Sequence, residues 1–179
     1  MLMLVRVRRP RPYADAMIHL VRPSVELLDA ALAGDDVLAR VIGHDVAPGW
    51  ATFREALQPT RDAVAAAPLD FAWGTRFFVA DGPRRLVGWG GFRGSPRDGV
   101  VELGYEIAVA ERGRGFATQA TFAMLAEAFA YDAVTTVIAH TLPELNASNR
   151  VLEKAGFVFD RPMSVDGESV WRFMLRPSG

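Results

Sequence analysis

Val109-Ala110-Glu111-Arg112-Gly113-Arg114-Gly115-Phe116-Ala117 is the stretch whose reading decides the fold. Two glycines and two arginines meet where an extended run gives way to a helical one. The first turn of a helix leaves backbone N–H groups without partners, and the helix dipole makes that end partly positive. Small residues let a phosphate approach the main chain closely. The constellation therefore suits a pyrophosphate held between a strand and a helix. Other phosphate motifs fit less well: no Gly-Lys-Ser/Thr of a P-loop occurs here, and Thr118 stands where GxGxxG needs its third glycine. Taken alone, the loop leaves an ordinary tight turn with surface arginines as the alternative.

Upstream of the loop, Val101, Leu103, Tyr105, Ile107 and Val109 share one face at period two, which predicts a strand over Val100–Val109. Glu102, Gly104, Glu106 and Ala108 share the other face. Downstream, the pattern predicts a long helix Phe116–Tyr131, a strand Val134–Thr141 and a helix Ser148–Ala155 stopped by Gly156. A strand from Phe157 follows, and Asp166-Gly167 turns the chain into a last strand, Glu168–Leu175. Towards the N-terminus, a strand over Met17–Arg22 precedes helices Val25–Ala33 and Asp36–Ile42, closed by Gly34 and Gly43. Ala51–Leu57 and Arg61–Ala67 also read as helical, broken by Pro59 and Pro68, with Thr60 as N-cap of the second. Strands Arg76–Ala80 and Leu86–Arg93 are joined by Asp81-Gly82-Pro83. No repeat or linker is visible, so residues 13–179 read as one mixed α/β domain with an extra helical segment near its N-terminus. Residues 1–12, where arginines alternate with Pro10 and Pro12, read as an extension: a solvated tail in preference to a nucleic-acid arm.

Composition narrows the function. The 179 residues fit one domain, and 50% are hydrophobic, enough for a sizeable core. Twenty basic against 21 acidic side chains, a net charge of −1, give no reason to expect nucleic acid or a membrane as partner. The absence of cysteine excludes disulfides, thiolate metal sites and a cysteine acyl-enzyme. No metal is expected, since His19 and His44 offer no ligand spacing. The first residues lack the order of a secretory signal, and no apolar run reaches the ~20 residues of a membrane span. A cytoplasmic location is the expectation.

The second informative segment is Leu142-Pro143-Glu144-Leu145-Asn146-Ala147-Ser148-Asn149-Arg150-Val151-Leu152-Glu153-Lys154-Ala155-Gly156-Phe157, which follows a strand and opens a helix. Together with Glu102-Leu103-Gly104-Tyr105 and Arg112-x-x-Gly115-x-Ala117, it resembles the GNAT superfamily of N-acetyltransferases. The nearest branch is that of the ribosomal-protein N-terminal acetyltransferases. The resemblance is strong over residues 86–175 and weak before residue 75. It implies a mixed, mostly antiparallel sheet with helices on both faces, splayed between the strands ending near Val109 and Thr141. Acetyl-CoA, the implied co-substrate, would sit in that opening. Backbone groups of Gly113, Arg114, Gly115, Phe116, Ala117 and Thr118, behind Arg112, would hold its pyrophosphate. Ile107, Ala108 and Val109 would meet the pantetheine, and Asn149 occupies a position that often touches CoA.

The resemblance favours Glu102 as general base and offers Ser148 as the group that attends the leaving thiolate. Glu106 lies about 13 Å along the strand, too far to pair with Glu102 on one atom. His140, expected to face the helix Ser148–Ala155, could relay a proton or simply pack. Trp50, Trp73 and Trp89 read as core or pocket wall. Two departures stand out. Leu145 occupies the place where relatives usually carry asparagine, with Asn146 one position late, and the following helix lacks the tyrosine many relatives use as general acid. The implied reaction is direct acetyl transfer to a primary amine, of a protein N-terminus or a small molecule, by a monomer or homodimer. A non-catalytic acyl-CoA sensor is the alternative.

Overall fold

The structure is a computed structural model that describes residues 17–67, 71–81 and 84–177. The expected extension over 1–12, Pro68 and the Gly82-Pro83 turn lie outside the described residues. Strand β1 (Ile18–Val21) leads into helix α1 (Val25–Ala33), whose N-cap Ser24 accepts the Leu27 N–H at 3.2 Å. Helix α2 (Asp35–Ile42) ends on Gly43, whose φ of 71° is the left-handed cap expected of that glycine. A two-residue strand β2 (Asp45–Val46), which the sequence reading missed, follows.

The next segment departs from expectation. Ala51–Leu57 is not a helix; a 3-10 turn over Arg54–Ala56 runs directly into α3 (Leu57–Ala66). Pro59 falls in the first turn of α3, where a missing N–H costs no helical bond, so it does not break the helix. Thr60 is inside the helix rather than its cap, and its hydroxyl donates to the Ala56 carbonyl at 2.7 Å.

Strands β3 (Thr75–Ala80), β4 (Arg85–Phe92) and β5 (Val100–Ile107) form an antiparallel meander. Helix α4 (Phe116–Phe129), strand β6 (Thr136–Thr141), helix α5 (Ala147–Lys154) and strands β7 (Val158–Val165) and β8 (Glu168–Leu175) complete the chain. Asp166 and Gly167, both at positive φ (51° and 84°), make the two-residue β7–β8 turn. The eight-stranded sheet runs β1-β3-β4-β5-β6-β8-β7, with β2 beside β4. Helices cover both faces. Helices α1, α2 and α3 bury Leu28, Leu38 and Leu57 against Phe77, Leu86 and Trp89. Helices α4 and α5 bury Phe116, Met124 and Leu152 against Phe78, Leu103, Val137 and Phe173. Trp50 and Trp89 belong to the first of these cores, and Trp73 packs at the edge of the second.

The functionally decisive feature is the β5–β6 pairing. These parallel strands are hydrogen-bonded only at Val100/Thr136, Val101/Val137 and Glu102/Ile138. Beyond Glu102 they part, so the sheet is splayed, and the opening begins well before the strand ends. Strand β5 also stops two residues short of Val109. The Ala108 N–H turns to the Val87 carbonyl at 2.8 Å, and a 3-10 turn over Val109–Glu111 follows.

One buried charge ties the sheet to α4. Arg76 on β3 is 0% exposed, and it donates to Glu127 at 2.8 Å and to the carbonyls of Ala72, Gly74 and Thr75. A guanidinium out of water is tolerated only with such partners. Glu127→Gln, which removes the countercharge and keeps the shape, is expected to destabilise the fold by roughly 1.5–3 kcal/mol. Urea unfolding measures this; an unchanged midpoint would mean that the three carbonyls alone suffice.

Candidate active site

Both walls of the opening are built at the same edge of the sheet, because α4 follows β5 and α5 follows β6 at the C-terminal ends of two parallel strands. The β5–α4 loop is held from beneath. Glu111 is buried, and it pairs with Arg85 at 3.0 Å and with Arg114. Arg114 also lies over the Phe116 ring at 4.9 Å, while Arg112 donates through Nε to the Ile107 carbonyl at 3.1 Å. The two loop arginines thus brace the turn. Sequence reasoning missed Glu111, because nothing local distinguishes a buried carboxylate from a solvated one.

Gly113 and Gly115 have φ of 76° and 82°, a region that side chains reach only with strain. A Cβ at Gly113 would meet nothing within 4 Å, so the space over that residue is open. Within α4 the first hydrogen bond is Gln119 N–H to the Gly115 carbonyl at 3.0 Å, which leaves the N–H groups of Phe116, Ala117 and Thr118 as a first turn without helical partners among the described residues. The Phe116 side chain itself is buried in the core, so its relevance to a ligand is confined to its backbone. Of the three residues expected to meet the pantetheine, Ile107 and Ala108 have main-chain groups engaged with Arg112 and Val87, and Val109 is 70% exposed.

On the facing wall, Asn146 is the N-cap of α5, accepting the N–H groups of Ser148 at 2.8 Å and Asn149 at 3.2 Å. Leu145 is 86% exposed. The displaced asparagine therefore shapes the start of α5. The cap rule applied to Asn-Ala-Ser would have found it. Ser148 is half-buried, and its carbonyl accepts the Tyr105 hydroxyl at 3.4 Å, which joins α5 to β5 across the opening. Burial pushes the Tyr105 phenol well above the ordinary tyrosine range, so it stays protonated and acts as a donor. Asn149 is 2% exposed, and its Oδ1 finds no hydrogen-bond partner among the described residues. An unsatisfied buried acceptor costs about 1–3 kcal/mol, and an entering N–H group would relieve it. An amide-bearing ligand such as the pantetheine arm has that chemistry, and the open glycine loop beside α4 suits its pyrophosphate.

The polar face of β5 carries two carboxylates in different settings. Glu106 accepts the Trp89 indole N–H and the N–H groups of Thr52 at 3.0 Å and Phe53 at 3.5 Å, fastening that loop to the sheet. Glu102 lies at the closed end of the splay, where its Oε1 meets His140 Nδ1 at 3.1 Å and Arg93 Nε at 3.3 Å. His140 does not face α5, as the sequence suggested. Its neighbour Ala139 enters the core with Leu152 of α5, and strand alternation turns His140 to the opposite side. His19 pairs with Asp81 at 2.8 Å. No helix among the described residues is long and apolar enough to cross a membrane.

The comparisons agree with this geometry. The family model described as an acetyltransferase (GNAT) domain matches residues 19–158, and the chain belongs to that family. It is an acetyl-CoA-dependent N-acetyltransferase, with acetyl-CoA as co-substrate. An uncharacterised N-acetyltransferase, YjdG of Bacillus subtilis (strain 168), is 24% identical over 146 residues, which is 80% of this chain and 87% of that one. Two solved structures share the fold. RimL, a ribosomal L7/L12 alpha-N-protein acetyltransferase in complex with coenzyme A, superposes with a TM-score of 0.63 at 15% identity, covering 89% of this chain and 94% of its own. The aminoglycoside acetyltransferase AAC(6')-Ib, also in complex with coenzyme A, gives 0.61 at 14% identity, covering 90% and 95%.

Proposed function

We propose that this domain, residues 13–179, transfers the acetyl group of acetyl-CoA directly to a primary amine within a ternary complex. The acceptor would be a protein N-terminus or a small-molecule amine. The observation that carries the reading is the position of Glu102, on the open polar face at the closed end of the splay. Bound acetyl-CoA would supply the activated acyl carbon and a thiolate leaving group. The chain's own residues supply the rest. Backbone N–H groups from Gly113 to Thr118 hold the pyrophosphate, and the Asn149 Oδ1 takes an N–H of the pantetheine. Glu102 accepts the ammonium proton, directly or through a water, so that the amine is neutral when it attacks. Ser148, at the first turn of α5, offers the departing sulfur a proton or a hydrogen bond. The chain has no cysteine to acylate, which supports direct transfer.

Release of free thiol from acetyl-CoA across an amine panel tests the reading, and the cysteine-free chain contributes no background. Amine-dependent thiol release is expected. Tight acetyl-CoA binding without release for any amine would leave the sensor as the reading that stands. Ser148→Ala is expected to lower kcat less than loss of Glu102, because a thiolate leaves readily, and raising the pH is not expected to restore it. A Ser148→Ala enzyme as impaired as Glu102→Gln would assign Ser148 a larger role.

A further inference from the structure

Resting on Glu102 as the base, we propose that His140 is the positioning residue that fixes the Glu102 carboxylate for proton transfer. Three observations lead there. His140 Nδ1 lies 3.1 Å from Glu102 Oε1, and Arg93 Nε approaches the same oxygen at 3.3 Å. Both side chains thus approach the same oxygen at ion-pair distance, which favours one orientation of the carboxylate and leaves Oε2 to meet the acceptor. The His140 ring is only 15% exposed, and its Nε2 is buried with no hydrogen-bond partner among the described residues. The working end of His140 is therefore Nδ1. Placing the ring proton on Nδ1, which faces the ionised carboxylate, lets a small ring rotation make it a donor to Glu102.

The arrangement follows from topology. Glu102 and His140 come from parallel strands, and the last β5–β6 pair is Glu102 with Ile138. His140 is two residues further along β6, on the same face as Ile138. It leans back over the point where the strands part. Strand β8 backs it through the His140/Arg172 pair, and Arg172 is itself held by Asp160 at 2.6 Å. A carboxylate at the edge of an opening would otherwise sample several rotamers, and small misplacements of a catalytic group are costly.

The experiment exploits a coincidence of shape: the side-chain nitrogen of asparagine occupies nearly the place of histidine Nδ1, and that of glutamine nearly the place of Nε2. With an amine that releases thiol, His140→Ala is expected to lower kcat roughly 10–100-fold, the range for misplacing a catalytic group. The KM for acetyl-CoA should stay unchanged. His140→Asn, which restores a donor to Glu102, should recover most of the loss, whereas His140→Gln should not. The double variant Glu102→Gln/His140→Ala should be no slower than Glu102→Gln alone, since His140 acts only through Glu102. Melting temperatures separate this from a merely structural role, which would lower stability in His140→Ala without lowering kcat in the folded fraction. Wild-type kcat in folded His140→Ala or His140→Gln overturns the proposal. So does failure of a folded His140→Asn to recover, which would give the chemistry to Nε2. Wild-type kcat in Glu102→Gln would instead remove the base on which the proposal rests.

Discussion

Glu102→Gln is expected to lower kcat by ~10²-fold or more at neutral pH, because general-base catalysis typically contributes about 10²–10⁴. An alkylammonium resembles lysine, whose pKa is ~10.4, so almost none of the acceptor is neutral without help. Glutamine keeps the size of the side chain and its place beside His140 and Arg93, but it takes no proton. The loss should therefore shrink as the pH is raised, because the free amine then forms unaided. Acetyl-CoA affinity should hardly change, since the carboxylate lies on the polar face and the loop that would hold the pyrophosphate is elsewhere. Steady-state rates from pH 7 to pH 10 (roughly the span over which the amine deprotonates) decide the matter. Wild-type kcat throughout would place the base elsewhere, with Glu106 the next carboxylate on that face. Its three N–H donors already make it a fastening for the Thr52–Phe53 loop.

Gly115→Glu is expected to weaken acetyl-CoA binding by at least tenfold, or ~1.4 kcal/mol. Two effects add. Gly115 has φ of 82°, where a side chain costs about 1–2 kcal/mol. A carboxylate at the N-terminus of α4 would also oppose a pyrophosphate at the first-turn N–H groups. Gly115→Ala carries the conformational cost without the charge, so calorimetry on both variants separates strain from repulsion. A folded Gly115→Glu protein with wild-type affinity would remove the loop from the binding site.

The parts of the fold legible in advance were those written in neighbouring residues. Helix α1 and strand β8 lie on their expected bounds, because Ser24 and Gly34 punctuate the one and Asp166-Gly167 the other. The strand alternation placed Glu102 and Glu106 together on the polar face of β5. The failures came where a local signal had two meanings. Pro59 reads as a breaker but is harmless in a first turn, so two expected helices became a 3-10 turn and α3.

By itself the sequence determined the family and the glycine loop before α4, and it put the start of α5 at Ser148, one residue late, because turns, caps and periodicities depend on residues a few positions apart. Tertiary structure alone decided which charges meet. Arg76 and Glu127 are 51 residues apart, Trp89 and Glu106 are 17 apart across two strands, and Glu106 reaches 54 residues back to Thr52. Glu102 meets His140 only because β5 and β6 pair in a particular register and then diverge. A carboxylate has the same local pattern whether solvent, an arginine or a histidine faces it. What it can do is set by neighbours that only the folded chain supplies.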